Sequence, residues 1–354
     1  MLMKMEMSGI CGSDKHSYKG ESLMYAGTVR EAHIDYPVIP GHENVGIVAE
    51  LTPKARHNLE FYHQELKEGD RVVMCCDVVC GYCYECRNTW GFTWCDNFWS
   101  YGLTRGCTKP PHLFGGWAEY MYITPETFVY KVPEGMPPEI AVLAEPFACT
   151  FGLDRVRDFG AQPSEGFCAG DTVVVLGLGP IGLLHTAKAR MLGAGTIIGI
   201  DRSPYRLSMG KEFSADHLIN ADETKPEERI QMVKDLTHGR GADVVMDMVG
   251  MPQVFLEGLE MLGNGGVFIE EGAFVDIGTV AINPHRHILA KNARIIGMVN
   301  HSFSHYYTSM QLMQRFGKWF PFHKLVTHQF KIEDAEQAIL KSMDLDSMKV
   351  VITP

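Results

Sequence analysis

Four cysteines, Cys80, Cys83, Cys86 and Cys95, stand at intervals of two, two and eight residues in a stretch that begins Cys80-Gly-Tyr-Cys83-Tyr-Glu-Cys86. Four thiolates that close together can hold a tetrahedral zinc and leave no position for water, so the chemistry this spacing offers is structural. Reduced, free cysteines are the competing reading; exposed clusters of thiols are chemically hazardous, which weighs against it. The chain has ten cysteines, six of them between Cys75 and Cys95. Such crowding in a long chain without a signal peptide argues for metal rather than cystine.

A second chemistry belongs to Gly177-Leu178-Gly179-Pro180-Ile181-Gly182, a GxGxxG turn between an apolar run and an amphipathic stretch. Asp201 closes the next apolar run 19 positions after Gly182. Glycines let the backbone approach a pyrophosphate, a helix N-terminus offers it free N–H groups, and a carboxylate at that distance can bind a ribose diol. Gly177, Gly179, Pro180, Ile181, Gly182 and Asp201 are therefore read as a dinucleotide site, against the blander reading of a glycine turn without ligand. Asp201 favours NAD, because its charge repels a 2′-phosphate; Arg202 and Arg206 stand close enough in sequence to pair with one.

A third set is dispersed: Cys11-Gly12-Ser13-Asp14-Lys15-His16, Gly41-His42-Glu43 and Ala144-Glu145-Pro146. Each piece alone is bland, since a lone cysteine is usually a small buried hydrophobe and a lone histidine a satisfied structural residue.

These residues need elements to hold them. From Asp171 onward, apolar runs at Thr172–Leu176, Thr196–Ile200, Asp243–Met248, Gly266–Ile269 and Arg294–Met298 alternate with helical stretches, which predicts an α/β fold with a doubly wound parallel sheet. Residues 1 to about 150 carry short alternating runs such as Met3 to Met7 and read as mostly β. The chain ends in a short helical tail and a last strand, Met348 to Ile352.

The length, 354 residues, suits two domains, and 45% hydrophobic with 21% charged residues rules out a disordered or collagen-like chain. A net charge of −11 leaves no polybasic surface, so neither nucleic acid nor membrane is expected as a partner. The Met-rich start lacks the continuous apolar stretch of a signal peptide, and a cytoplasmic protein is expected.

Taken in order and with their gaps, the CGSDKH, GHE, CxxCxxC, AEP and GLGPIG motifs resemble the zinc-containing medium-chain alcohol dehydrogenase family, in its polyol branch of sorbitol and threonine dehydrogenase-like enzymes. The resemblance spans almost the whole chain. It implies a GroES-like β-rich catalytic domain over residues 1–152 and 296–354, with a zinc lobe at about 75–107, and a Rossmann NAD-binding domain over 153–295. It also implies two zincs per chain, one structural on the four cysteines and one catalytic on Cys11 and His42, with Glu43 and Glu145 as further ligand candidates. Glu43, next to His42, is expected to be the resident carboxylate, with Glu145 behind it or exchanging. Ser13 matches the hydroxyl that takes the alcohol proton, His16 the histidine that hands it to solvent, Cys149 a small residue at the nicotinamide, and Arg206 a basic residue at the adenosine ribose.

The activity so implied is hydride transfer from a secondary alcohol or polyol to NAD, giving a ketone or aldehyde, in a homodimer or homotetramer. An NADPH-dependent carbonyl reductase and a non-catalytic, partner-binding relative are the alternatives. Three departures from the family stand out. Only ten residues precede Cys11, where the family has roughly thirty or more, so the start is read as truncated or misassigned. The last cysteine interval is eight where seven is usual. Two segments, Asn58–Leu66 and the aromatic stretch Trp90–Tyr101, look expanded and are read as packing around the zinc lobe.

Overall fold

The protein is described here by a computed structural model covering residues 1–21, 23–28, 31–53, 55, 65–88, 94–156 and 166–354. The chain divides into two compact units, one made of Met1–Cys149 with Asn300–Pro354, the other of Thr150–Val299.

In the first unit the opening strand Leu2–Gly9 exists because its methionines alternate. Met3, Met5 and Met7 are buried on one face while Lys4 points to solvent, which is the period of a half-buried strand. This strand lies between Glu43–Glu50 and Lys349–Thr353, antiparallel to both, in a seven-stranded sheet that also contains Arg71–Met74, Tyr120–Tyr122, Val129–Lys131 and Val326–Lys331. Met3, Met5, Val72, Met74, Met121 and Tyr101 pack into its core. The register sets Gly9 opposite both Glu43 and Val351. As a result the ends of three strands converge at one place.

The second unit is a six-stranded parallel sheet in the order His217–Asn220, Thr196–Asp201, Thr172–Leu176, Ala242–Asp247, Leu262–Glu270, Arg294–Gly297. That is the doubly wound order, with the reversal of direction beside Thr172–Leu176. Val173, Val174 and Val175 are wholly buried, as a strand covered on both faces requires, and this explains why the strand reads as an unbroken apolar run. The helices Pro180–Met191, Pro204–Glu212, Pro226–Leu236 and Pro252–Met261 each begin with proline at the first helical position, where the missing N–H costs nothing.

Of the two expanded segments, most of Asn58–Leu66 and the positions of Trp90 and Phe92 lie outside the described residues. Leu66, Trp99 and Tyr101 do join the core of the first unit, and Arg105 stacks between Trp99 and Phe114 at 4.5 and 4.6 Å. Among the described residues no helix is long and apolar enough to cross a membrane.

Candidate active site and zinc centres

The short helix Tyr84–Asn88 turns Cys86 back toward the loop that carries Cys80 and Cys83, and the strand pair Asp77–Val78 with Trp99–Ser100 flanks them. Cys80, Cys83, Cys86 and Cys95 present sulfurs that all lie within 4.8 Å of one another. Backbone N–H groups point at them: Cys83 donates to the Cys80 sulfur at 3.4 Å, Cys86 to Cys83 at 3.4 Å, and Cys80 to Cys95 at 3.3 Å. Such donors favour thiolate over thiol, the form zinc takes. Against the effect of burial, the amides of Tyr82 and Cys83 bring Cys80 down to about 6, whereas burial pushes Cys86 up to about 12. The eight-residue interval does not prevent closure, and the donor set fits a structural zinc.

The dispersed set converges in the same unit. Cys11 caps the helix Gly12–Tyr18, and its N–H donates to Asp14 Oδ2 at 2.8 Å. The other oxygen, Oδ1, lies 3.6 Å from His42 Nδ1, while Ser13 Oγ lies 3.2 Å from His42 Nε2. Cys11 lies close enough to act electrostatically on the same imidazole. Asp14, Ser13 and His42 are all buried. A cysteine and a buried imidazole with a carboxylate 3.6 Å behind the imidazole are the donor types of a zinc centre whose histidine is oriented from its far nitrogen.

The two carboxylates are placed differently. Glu43, expected as the resident ligand, directs Oε1 to Lys349 Nζ at 2.5 Å. Its Oε2 lies against Gly9, where a Cβ would stand 2.0 Å away. Oε1 is thus engaged at the strand ends, while Oε2 is buried without a hydrogen-bond partner among the described residues. Glu145, in the first turn of the helix Ala144–Cys149, directs Oε1 to His301 Nε2 at 2.9 Å. Burial raises its pKa, but the charges of His301 and His42 more than offset this and hold it below the ordinary value. Cys11, Ser13 and His42 are therefore together, with Glu145 in electrostatic reach of His42. The closed three-ligand groups in this region, among the described residues, are Glu145–Cys149–His301 and Cys76–Asp77–His301. Cys149 Sγ donates to the Glu145 carbonyl at 3.8 Å, and His16 Nδ1 pairs with Glu21 at a partly exposed position.

In the second unit Gly177 adopts φ 91° at the end of its strand, and a Cβ on Gly182 would stand 1.9 Å from the Gly177 carbonyl oxygen. Those two positions accept only glycine. The helix Pro180–Met191 begins at Gly179 with no side-chain cap, so the amides around Ile181 keep their free N–H groups for an anion. Asp201 Oδ2 accepts the Leu178 N–H and Oδ1 the Ser203 N–H, each at 2.8 Å, which ties this carboxylate to the glycine loop. Arg202 is drawn off to Asp222 at 3.3 Å on the surface. Arg206 instead reaches over the loop, its Nη1 3.9 Å from the Cβ position of Gly179.

Comparison with known proteins bears on the family and the fold. Residues 1–134 match the alcohol dehydrogenase GroES-like domain, and residues 180–315 match the zinc-binding dehydrogenase family. The 5-exo-hydroxycamphor dehydrogenase of Pseudomonas putida is 32% identical over 340 residues, which is 96% of this chain and 87% of that protein. The chain belongs to the zinc-containing medium-chain alcohol dehydrogenase family. Within it the chain falls in the polyol and threonine dehydrogenase-like branch. The erythritol/L-threitol dehydrogenase of Mycolicibacterium smegmatis is 30% identical over 355 residues, covering all of this chain and 90% of its own length. Among solved structures, an alcohol dehydrogenase from Thermotoga maritima superposes with a TM-score of 0.87 at 32% identity, covering 100% of this chain and 91% of that one.

This dehydrogenase is thus a zinc-dependent oxidoreductase acting on an alcohol, built from a GroES-like domain and a Rossmann domain. Two of its site residues escape a reading of sequence alone. Lys349 leaves a faint signal, a single cation inside the apolar run Met348 to Ile352. His301 leaves none, since only the fold brings it to Glu145.

Proposed function

We propose that this enzyme oxidises a secondary alcohol or polyol with NAD, using Cys11, His42 and Glu145 to hold the catalytic zinc and Ser13 with His16 to carry the proton. The observation that carries this reading is the cluster of Cys11, Ser13 and His42 with Asp14 behind the imidazole. The chemistry supplied by the bound groups is Lewis-acid polarisation of the alcohol oxygen and acceptance of hydride at nicotinamide C4. Ser13 Oγ, buried beside His42, would relay the alcohol proton, accepting it while giving up its own hydroxyl hydrogen toward His16, without admitting bulk water. His16, three positions on and hence on the same helix face, passes it outward from its partly exposed place beside Glu21. The carbon thus loses a hydride and the oxygen a proton, which balances the oxidation to a ketone or aldehyde.

Glu145 is preferred to Glu43 as the carboxylate ligand because Lys349 directly pairs with Glu43, whereas the ion-pair partner of Glu145 is the imidazole of His301. Asp201, anchored to the glycine loop, supports NAD, and Arg202 is engaged with Asp222 rather than offered to a 2′-phosphate. The relatives named for camphor-derived and four-carbon polyol substrates support a secondary alcohol or polyol. A cytoplasmic homodimer or homotetramer is the assembly this reading adopts.

The test couples metal analysis to turnover over a panel of polyols, cyclic alcohols and hydroxy acids with NAD and with NADP. His42→Ala is expected to lose one of two zincs per chain and all turnover. Ser13→Ala is expected to keep both metals and NAD binding while slowing the rate about 10²-fold. Retained zinc and turnover in His42→Ala would sink the reading.

A further inference from the structure

His301 and Glu145 lie 156 positions apart in the chain and meet at 2.9 Å, both buried. The partners around them settle who donates. An ionised carboxylate only accepts, so His301 Nε2 carries the imidazole proton and gives it to Oε1. Tyr306 Oη, 3.3 Å from the same nitrogen, accepts the Cys76 amide N–H at 3.2 Å, and its own hydrogen turns to the Cys76 sulfur at 3.7 Å. The Tyr306 ring stands edge-on to the imidazole at 90° and stacks on Tyr130 at 3°. On the other side Asn300, at φ 66°, accepts the His301 N–H on its Oδ1 at 2.8 Å and turns the chain at this point.

Packing does not account for a histidine here. Nδ1 is buried without a hydrogen-bond partner among the described residues, a stranded acceptor that leucine of similar volume would avoid. What histidine provides and leucine cannot is the N–H aimed at Glu145, together with a ring nitrogen near the Cys76 sulfur and an Asp77 carboxylate oxygen.

We propose that His301 is a positioning residue for the catalytic zinc, fixing the Glu145 carboxylate through Oε1 so that its other oxygen serves as the ligand beside Cys11 and His42. This rests on the reading of Glu145 as a ligand given above. Ligating carboxylates are themselves held by hydrogen bonds, and loss of such a partner typically costs 10- to 100-fold in metal affinity.

The experiment is chelator competition on the purified full-length enzyme, followed by the absorption spectrum after cobalt replaces zinc. His301→Leu is expected to weaken the catalytic metal about 10- to 100-fold, to shift the cobalt bands, and to leave the four-cysteine zinc in place. His301→Gln, whose amide hydrogens reach about as far as Nε2, is expected to recover most of the affinity; His301→Asn, one methylene shorter, is not. If the leucine variant fails to fold, the glutamine and asparagine pair carries the test, and equal affinity in the two overturns the proposal. It is also overturned if His301→Leu keeps parental affinity and spectrum, or if His301→Gln is as damaging as leucine, which would make His301 a ligand. Glu145→Ala, run alongside, separates the two readings. Metal lost there but kept in His301→Leu defeats the inference alone, and metal kept in both defeats the Glu145 assignment.

Discussion

Lys349 Nζ and Glu43 Oε1 form a 2.5 Å ion pair in which both residues are almost wholly buried, at 3% and 1% exposure. The ammonium also donates to the Ile10 carbonyl at 3.2 Å, so one cation joins the ends of three strands. Lys349→Met is expected to cost about 3–5 kcal/mol, because it leaves a carboxylate buried without its counter-charge. Lys349→Met combined with Glu43→Gln should recover most of that. Urea unfolding of the three proteins checks it, and a single variant within about 1 kcal/mol of the parent would contradict the assignment.

Cys83→Ser is expected to remove one zinc per chain and to lower the melting temperature of the lobe, with activity lost through unfolding or dissociation. Elemental analysis beside thermal melting measures both. Full zinc with unchanged melting would show that the four sulfurs are not a metal site.

Asp201→Ser should lower the preference for NAD over NADP by about 1–3 kcal/mol, since a like-charge clash with the 2′-phosphate disappears. Because Asp201 also holds the Leu178 and Ser203 amides, the KM for NAD is expected to rise as well. The ratio of kcat/KM values for the two cofactors is the readout, and a parent enzyme that already prefers NADP would end this account of Asp201.

Glu270 and Asp247 stand opposite one another on adjacent parallel strands. Burial, then the charge of Asp247, pushes Glu270 from 4.5 up to about 7. Between those two values the folded protein holds a proton that the unfolded chain has released, so stability falls as pH rises through that window. Full burial would make a shift of this size worth about 3 kcal/mol, and solvent on the open side reduces it to about 1 kcal/mol. Glu270→Gln should flatten this part of the pH profile and raise stability near neutrality. Thermal melts of the cofactor-free enzyme at several pH values test it, with an unchanged slope as the refuting result.

Features that depend on neighbours along the chain are legible in the residues themselves. The glycine turn with Asp201, the four cysteines and the alternating methionines each announce themselves within a few turns or pleats of chain, where period and spacing are set by backbone geometry. Partnerships made by the fold are not legible in that way. Nothing near Glu43 foretells that Lys349 claims it, because that contact depends on the register of Gly9 against two strands from distant parts of the chain. Adjacency to His42 favours Glu43 as ligand; the strand pairing turns it elsewhere. Asp14 lies inside a motif, yet its place behind His42 follows only from the helix that Cys11 caps.

The first unit is interrupted in the chain by residues 150–299, which sets an order of events on the ribosome. Gly9 emerges early, and Val351, its partner across the sheet, emerges after the whole nucleotide-binding unit. At about 5–20 residues per second this separates them by on the order of tens of seconds. Until Lys349–Thr353 emerges, the Ser8–Gly9 end of the opening strand lacks its partner and Glu43 its cation, although Tyr120–Tyr122 can already cover Leu2–Lys4; Thr150–Val299 has every strand it needs once Arg294–Gly297 has emerged. The second unit can therefore complete its sheet before the first, whose Ser8–Gly9 edge stays unpaired until Lys349–Thr353 is made.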